Sequence, residues 1–254
     1  LHSFYCWGHV AVVLLSSAFF QLAGIGNWRV MACVWALLPL GNAVYFALVP
    51  IRPVVEERRR MPVRSLFGQK LFWLFLLMML CAGASEQGMS QWASAFAQSG
   101  LGVNKAMGDL AGPCAFAVLM GTSRALYGKY SDRMPLRAVM MASAVLCIAC
   151  YATAAMSGNV LLALAGCALC GFSVGIFWPG TFSTAVPALP GGGTAMFALL
   201  ALAGDLGCTT GPTVVGLAAG AAGGRLAAGL GVGMIFPVLM LLCILLLPVF
   251  QKRS

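Results

Sequence analysis

Eight stretches of this chain stay apolar over a membrane-spanning length: roughly 4–24, 30–50, 71–97, 105–128, 137–157, 159–186, 194–220 and 226–250. A helix crosses a hydrocarbon core with about 20 mostly apolar residues. The other spanning structure, a closed barrel, needs strands of alternating polarity, and runs such as "VLMLLCILLLPVF" do not alternate. Composition agrees. The chain is 61% hydrophobic and 8% charged, against about 45–50% apolar and about 25% charged in soluble domains. With so little charge, a water-facing surface could not be covered. The expected fold class is all-α: a polytopic membrane helix bundle with eight transmembrane helices.

The connectors are short except for "IRPVVEERRRMPVRSLFGQK", residues 51–70. This polar, basic linker divides the chain into 1–50, with two helices, and 71–254, with six. Placing it in the cytoplasm puts twelve Lys and Arg on that side and leaves Arg29, Lys105 and Arg225 outside. Cytoplasmic loops carry such an excess, so both ends of the chain are expected in the cytoplasm. The net charge of +9 is therefore read as topology. A nucleic-acid role is disfavoured because the basic residues are dispersed among membrane loops; the Arg58–Arg60 run reads as a solvated linker.

No cofactor or metal is expected. Cys147-x-x-Cys150 and Cys167-x-x-Cys170 match the text of a zinc site, but both lie in helix-like apolar sequence, where cysteine behaves as a small hydrophobe. The two histidines, His2 and His9, sit in the first ten residues, so no Ser/His/Asp set can be assembled and an enzyme is not expected. Gly207-x-x-x-Gly211 and Gly216-x-x-x-Gly220 read as sites of close helix approach, with a bend near Pro212. Another bend is expected at Trp178-Pro179.

Of the six acids, Glu86, Asp109 and Asp205 fall within or near spans. A charge at mid-bilayer costs about 2.5–3.5 kcal/mol or more, so each should face an aqueous cavity, find a partner or bind a proton. Glu86 lies about 22 Å along its helix from Leu71, with Gly83, Gln87 and Ser90 making a polar stripe beside it. Asp109 is near the start of its span and could be merely interfacial.

The most specific motif is "YGKYSDRMPLRAVMM", between the fourth and fifth spans. It resembles the Gly-x-x-x-Asp-Arg-x-Gly-Arg-Arg loop signature of the major facilitator superfamily. Gly128, Asp132, Arg133 and Arg137 match; Pro135 and Leu136 depart from it. Further stretches are similar to helices of that superfamily: "LHSFYCWGHVAVVL" to the fifth, "ASEQGMSQWASAF" to the seventh, and "GFSVGIFWPGTFSTA" and "MFALLALAGDLGCTTGP" to the tenth and eleventh. The flavour is that of fucose-permease-like sugar transporters. The resemblance implies two six-helix halves joined by a cytoplasmic loop, with this chain supplying helices five to twelve, 51–70 as the central loop, and the first four helices absent. It also implies a cytoplasmic gate, in which Gly128 lets helices approach and Asp132 pairs with Arg133, Arg137 or Arg124 and caps the next helix.

The expectation is a secondary transporter of the bacterial cytoplasmic membrane, acting as a monomer on a small polar solute. A sugar and proton symport are the candidates for solute and coupling. Glu86 and Asp205 are the candidate proton or solute groups, and Gln87, Gln91, Trp92, Asn42 and Trp178 the candidate cavity residues. The alternative is a sensor or scaffold of the same fold without transport. Either way lipid is the solvent. The purified chain is expected to need detergent or lipid, and a folded, monodisperse chain in plain buffer by size-exclusion chromatography would exclude the membrane reading.

Overall fold

A computed structural model describes residues 2–50, 61–101 and 104–251. Residues 51–60, with Arg52, Glu56, Glu57 and Arg58–Arg60, and the terminal Lys252 and Arg253 lie outside the described residues. The described chain is helical, in the order α1 (His2–Ala23), α2 (Trp28–Leu48), α3 (Val63–Phe67), α4 (Lys70–Leu101), α5 (Lys105–Asp109), a π-helical turn (Leu110–Cys114), α6 (Ala115–Tyr130), α7 (Leu136–Met156), α8 (Val160–Val174), α9 (Phe177–Ala188), α10 (Gly193–Ala221), α11 (Leu226–Gly233) and α12 (Ile235–Gln251).

Among the described residues, seven helical stretches are long and apolar enough to cross a membrane: Phe4–Ala23, Ile25–Leu48, Lys70–Ser99, Leu136–Met156, Leu161–Ala188, Gly193–Ala221 and Leu226–Gln251. The fourth expected span, 105–128, is present as α5, the π turn and α6 in unbroken succession, with no one piece of membrane length. Pro113 lies inside the π turn. A proline removes an N–H and crowds the carbonyl four residues back, and a π turn absorbs the defect. The sixth expected span is likewise interrupted at Gly175 and Ile176, between α8 and α9. Pro179 follows in the first turn of α9, where its missing N–H costs no helical bond.

The long helix α4 is the centre of the bundle, packed along α10 and against α8, α9, α11 and α12. Small residues permit its approach to α10. A β-carbon on Gly83 would fall 2.1 Å from the Gly204 carbonyl oxygen, one on Gly207 2.0 Å from that of Leu80, and one on Gly211 2.4 Å from that of Ala84. Gly207-x-x-x-Gly211 is thus a packing motif, as its spacing suggested. Of the second pair, Gly216 faces the Trp92 ring, whereas a β-carbon on Gly220 would meet nothing within 4 Å. α10 runs through Pro212 as one helix. The cysteine pairs pack between α7 and α8, all four buried, with Cys147 Sγ 3.8 Å from Cys170 Sγ.

Residues 1–50 attach chiefly through α1. α1 packs on α6 and the π turn, while α2 touches α1, where the Trp35 indole N–H donates to Ser16 Oγ at 3.1 Å. Asp109 ties the far end of this seam: it accepts from Ser94 Oγ of α4 at 2.5 Å and from Ser17 Oγ of α1 at 3.5 Å. That aspartate, for which an interfacial position is one reading of the sequence, is a bridge between helices.

A side chain at Gly207 cannot be accommodated without separating α4 from α10. Gly207→Leu is expected to destabilise the bundle by at least the ~1–3 kcal/mol of an overpacked core, whereas Gly220→Ala should leave the melting temperature unchanged. Thermal unfolding of both variants in detergent measures the contrast.

Candidate functional site

Glu86 stands near the middle of α4 and is 3% exposed. A carboxylate so placed in an apolar helix needs compensation, and two neighbouring helices provide it. From α6, Arg124 brings Nη2 to 3.8 Å from Glu86 Oε2, with both side chains buried. From α1, the Tyr5 hydroxyl donates to Glu86 Oε1 at 3.4 Å. The guanidinium of Arg124 also lies over the Tyr5 ring, 5.6 Å from its centroid, so the three groups are mutually in contact.

Local chain breaks explain how Arg124 is held. The interruption after α8 frees the carbonyl of Gly175, which has no helical N–H to serve it, and Arg124 Nε donates to that oxygen at 2.8 Å. Arg124 Nη2 further meets Met120 Sδ at 3.7 Å. Helix ends leave carbonyls in need of donors, and an arginine is suited to one because its fork divides between several acceptors. On the other side of Glu86, the buried Tyr151 hydroxyl of α7 donates to the carbonyl of Ser85 at 2.8 Å, fixing the backbone from which the carboxylate projects.

Around this set lies a cavity of about 360 Å³, within the usual range of small-molecule sites. Tyr5, Glu86 and Arg124 form one part of its lining; Trp178 and Phe182 of α9 and Asp205 and Cys208 of α10 form another. Trp178 rests on bare backbone, since a β-carbon on Gly204 would fall 2.3 Å from its ring. Two buried polar atoms here lack a hydrogen-bond partner: Glu86 Oε2 and the Trp178 indole nitrogen. A second cavity of about 540 Å³ is lined by Gln91, Trp92, Thr209 and Thr213 among others, and it shares Cys208 with the first. Trp92 is fixed at its rim by an indole N–H bond to the Pro212 carbonyl at 3.0 Å.

Of the expected pathway residues, the structure brings Glu86, Trp178 and Asp205 to the first cavity and Gln91 and Trp92 to the second. Gln87 is half-buried beside Glu86 but is not in the lining of either. Asn42 does not join them; it is exposed on α2, a helix whose packing is against α1.

The loop signature requires corrections. Arg124 is not part of the exposed loop: it is 9% exposed inside the bundle and committed to Glu86. Gly128 does not mediate a close approach, because a β-carbon there would meet nothing within 4 Å. Asp132 and Arg133 occupy an exposed 3-10 turn, and Pro135, which has no side-chain donor or acceptor, is the N-cap of α7. Among the described residues Asp132 forms no ion pair. Arg137 is exposed and donates to the Ile244 carbonyl of α12 at 3.4 Å. Sequence reasoning also left Arg124 out of the cavity, although a usable signal existed: it falls inside the run 105–128, where a cation needs a partner as much as Glu86 does. Cys208 and Phe182 carried no such signal, since apolar and sulfur side chains look alike whether they line a cavity or fill a core.

A bundle of membrane-length helices defines a class: multi-pass membrane proteins. A family model described as Major Facilitator Superfamily matches residues 1–212, and the chain belongs to that superfamily of secondary transporters. The chain matches no curated protein and no solved structure.

Removing one partner of a buried ion pair strands the other charge, at a cost of about 3–5 kcal/mol. Arg124→Leu is therefore expected to lower stability by that order, and adding Glu86→Gln should recover a large part of the loss. A double-mutant cycle on thermal unfolding in detergent checks this, and additive effects would mean that the pair is not coupled.

Proposed function

We propose that the chain moves a small polar solute across a cytoplasmic membrane by alternating access, with Glu86 as the proton-coupling group. Residues 1–50 belong to one helical half and 71–254 to the other, with 51–70 as the linker between them. The observation that carries this reading is the contact of Tyr5 with Glu86 and Arg124, because it joins the two units at the cavity itself. Rocking of α1 against α6 withdraws Tyr5, opens the cavity and exposes the ion pair to water and solute.

The groups that face Glu86 define what its protonation does. Arg124 approaches from α6, Tyr5 and Cys6 from α1, and Cys208 from α10, with Asp205 of α10 in the same cavity lining. A proton on Glu86 cancels the attraction to Arg124 and leaves the guanidinium to its other contacts, among them the Gly175 carbonyl, the Met120 sulfur and the Tyr5 ring, so the proton and the solute share one electrostatic balance. The exposed cations Lys129, Arg133 and Arg137 near the α6–α7 turn hold that loop in the cytoplasm by the positive-inside bias; with Arg124 buried in the bundle they, and not it, carry this topological signal. Transporters of this superfamily are not enzymes as a rule, and no catalytic step is assigned.

Glu86→Gln fixes the neutral form. In proteoliposomes with an acidic exterior, it is expected to reduce gradient-driven uptake of a transported solute at least ten-fold, while exchange of that solute without a gradient persists. Uptake and pH dependence equal to those of the wild type would remove Glu86 from coupling. Radiolabelled amines and monosaccharides supply the solute panel.

A further inference from the structure

The charges of the first cavity do not balance. Its described lining holds Arg124, Glu86 and Asp205, one cation against two carboxylates. Arg124 is already committed to Glu86 Oε2, the Gly175 carbonyl, the Met120 sulfur and the Tyr5 ring. Asp205, near the middle of α10, is exposed at the cavity, and among the described residues its carboxylate makes no ion pair or side-chain hydrogen bond. A carboxylate within an apolar span is tolerated next to water, a proton or a countercharge. The surroundings of Asp205 favour one kind of countercharge. Trp178 and Phe182 line the same cavity as a pair of rings 6.3 Å apart, and aromatic faces attract organic cations. A third feature is the Trp178 indole nitrogen, buried and without a hydrogen-bond partner. It is a donor only, and the atom itself is covered in this structure, so it meets an oxygen acceptor on a bound solute once the ring turns toward the cavity.

We propose that the solute of this cavity is a small organic cation bearing an oxygen acceptor, an amino alcohol in class, with its ammonium group against Asp205 and the rings of Trp178 and Phe182 and its oxygen on the Trp178 indole N–H. The inference rests on the reading of the cavity as the solute site and names the chemistry it selects. An anion is disfavoured, because it would have to displace the ligands of Arg124 while leaving Asp205 opposed. A neutral sugar would satisfy the indole but leave the Asp205 charge unmet.

The test is equilibrium binding and thermal unfolding of the intact protein in lipid nanodiscs, with choline, tetramethylammonium and glucose as probes. Choline is expected to bind saturably and raise the melting temperature, tetramethylammonium to bind several-fold more weakly because it lacks the oxygen, and glucose not to bind. Asp205→Asn should weaken choline at least ten-fold and Asp205→Glu should retain most of the affinity. Trp178→Phe, which keeps a ring but loses the donor, should bring choline down to the level of tetramethylammonium. Asp205 is exposed, so its variants are expected to fold, and a monodisperse elution profile checks that they do. Choline affinity unaltered by Asp205→Asn would overturn the proposal. Saturable glucose binding without cation binding would overturn it too, while leaving the cavity as the solute site. Absence of binding by all three probes, together with no uptake of any solute in the amine and monosaccharide panel, would overturn both this inference and the transport reading on which it rests.

Discussion

Burying Glu86 in the longest helix of the bundle creates a debt that the surrounding architecture is arranged to settle. In hydrocarbon an unmet carboxylate is costly, and the settlement draws on three elements. α6 contributes Arg124, α1 contributes Tyr5, and the break between α8 and α9 contributes the Gly175 carbonyl that steadies Arg124. Removing any one alters the surroundings of the others, because the tyrosine ring, guanidinium and carboxylate are in mutual contact. The irregularities of the backbone are thus tied to the polar centre. The π turn at Pro113 lets α5 and α6 follow one path beside α4, where a β-carbon on Gly112 would meet the Ala93 backbone at 2.8 Å. The gap at 175–176 turns a backbone defect into a ligand for an arginine.

The packing of α4 on α10 is the apolar counterpart. Glycines at 83, 207 and 211 bring the two helices to backbone contact, and in lipid such contact is a main source of helix association, since burying apolar surface gains little there. Glu86 projects from α4 and Asp205 from α10, so the two acids line one space because their helices touch.

Much of the fold was legible in the amino-acid order because it depends on period and length: apolar runs near 20 residues, and a basic linker. The spacing of Gly207 and Gly211 announced a close approach that the structure contains. Glu86 was legible as a functional candidate because a carboxylate stands out in "LFWLFLLMMLCAGASEQ". What was not legible depends on which helices meet. Arg124 reads as one more basic residue near a loop until α6 is laid beside α4, and Asn42 reads as a cavity residue until it is found exposed on α2. The loop motif pointed to the superfamily but not to its own contacts, for a related reason. A signature records residue types, but Gly128 has open space beside it and Asp132 projects from an exposed turn, so similarity of letters did not carry the contacts with it. The interruptions of the fourth and sixth spans were half-visible: Pro113 and Pro179 marked the neighbourhoods, but a proline does not say whether a helix will bend, bulge or restart.

Trp178 lying on Gly204 has a consequence for how this protein diversifies. The wall behind the indole is a hydrogen atom, so the ring's seat is governed by the smallest change available to a codon. A methyl group at that spot would tip the indole forward and shrink the chamber without disturbing any charge, and later enlargements elsewhere could restore the room in a different outline. Relatives could then exchange one cargo for another through silent-looking steps on α10 while the ionic centre stayed constant.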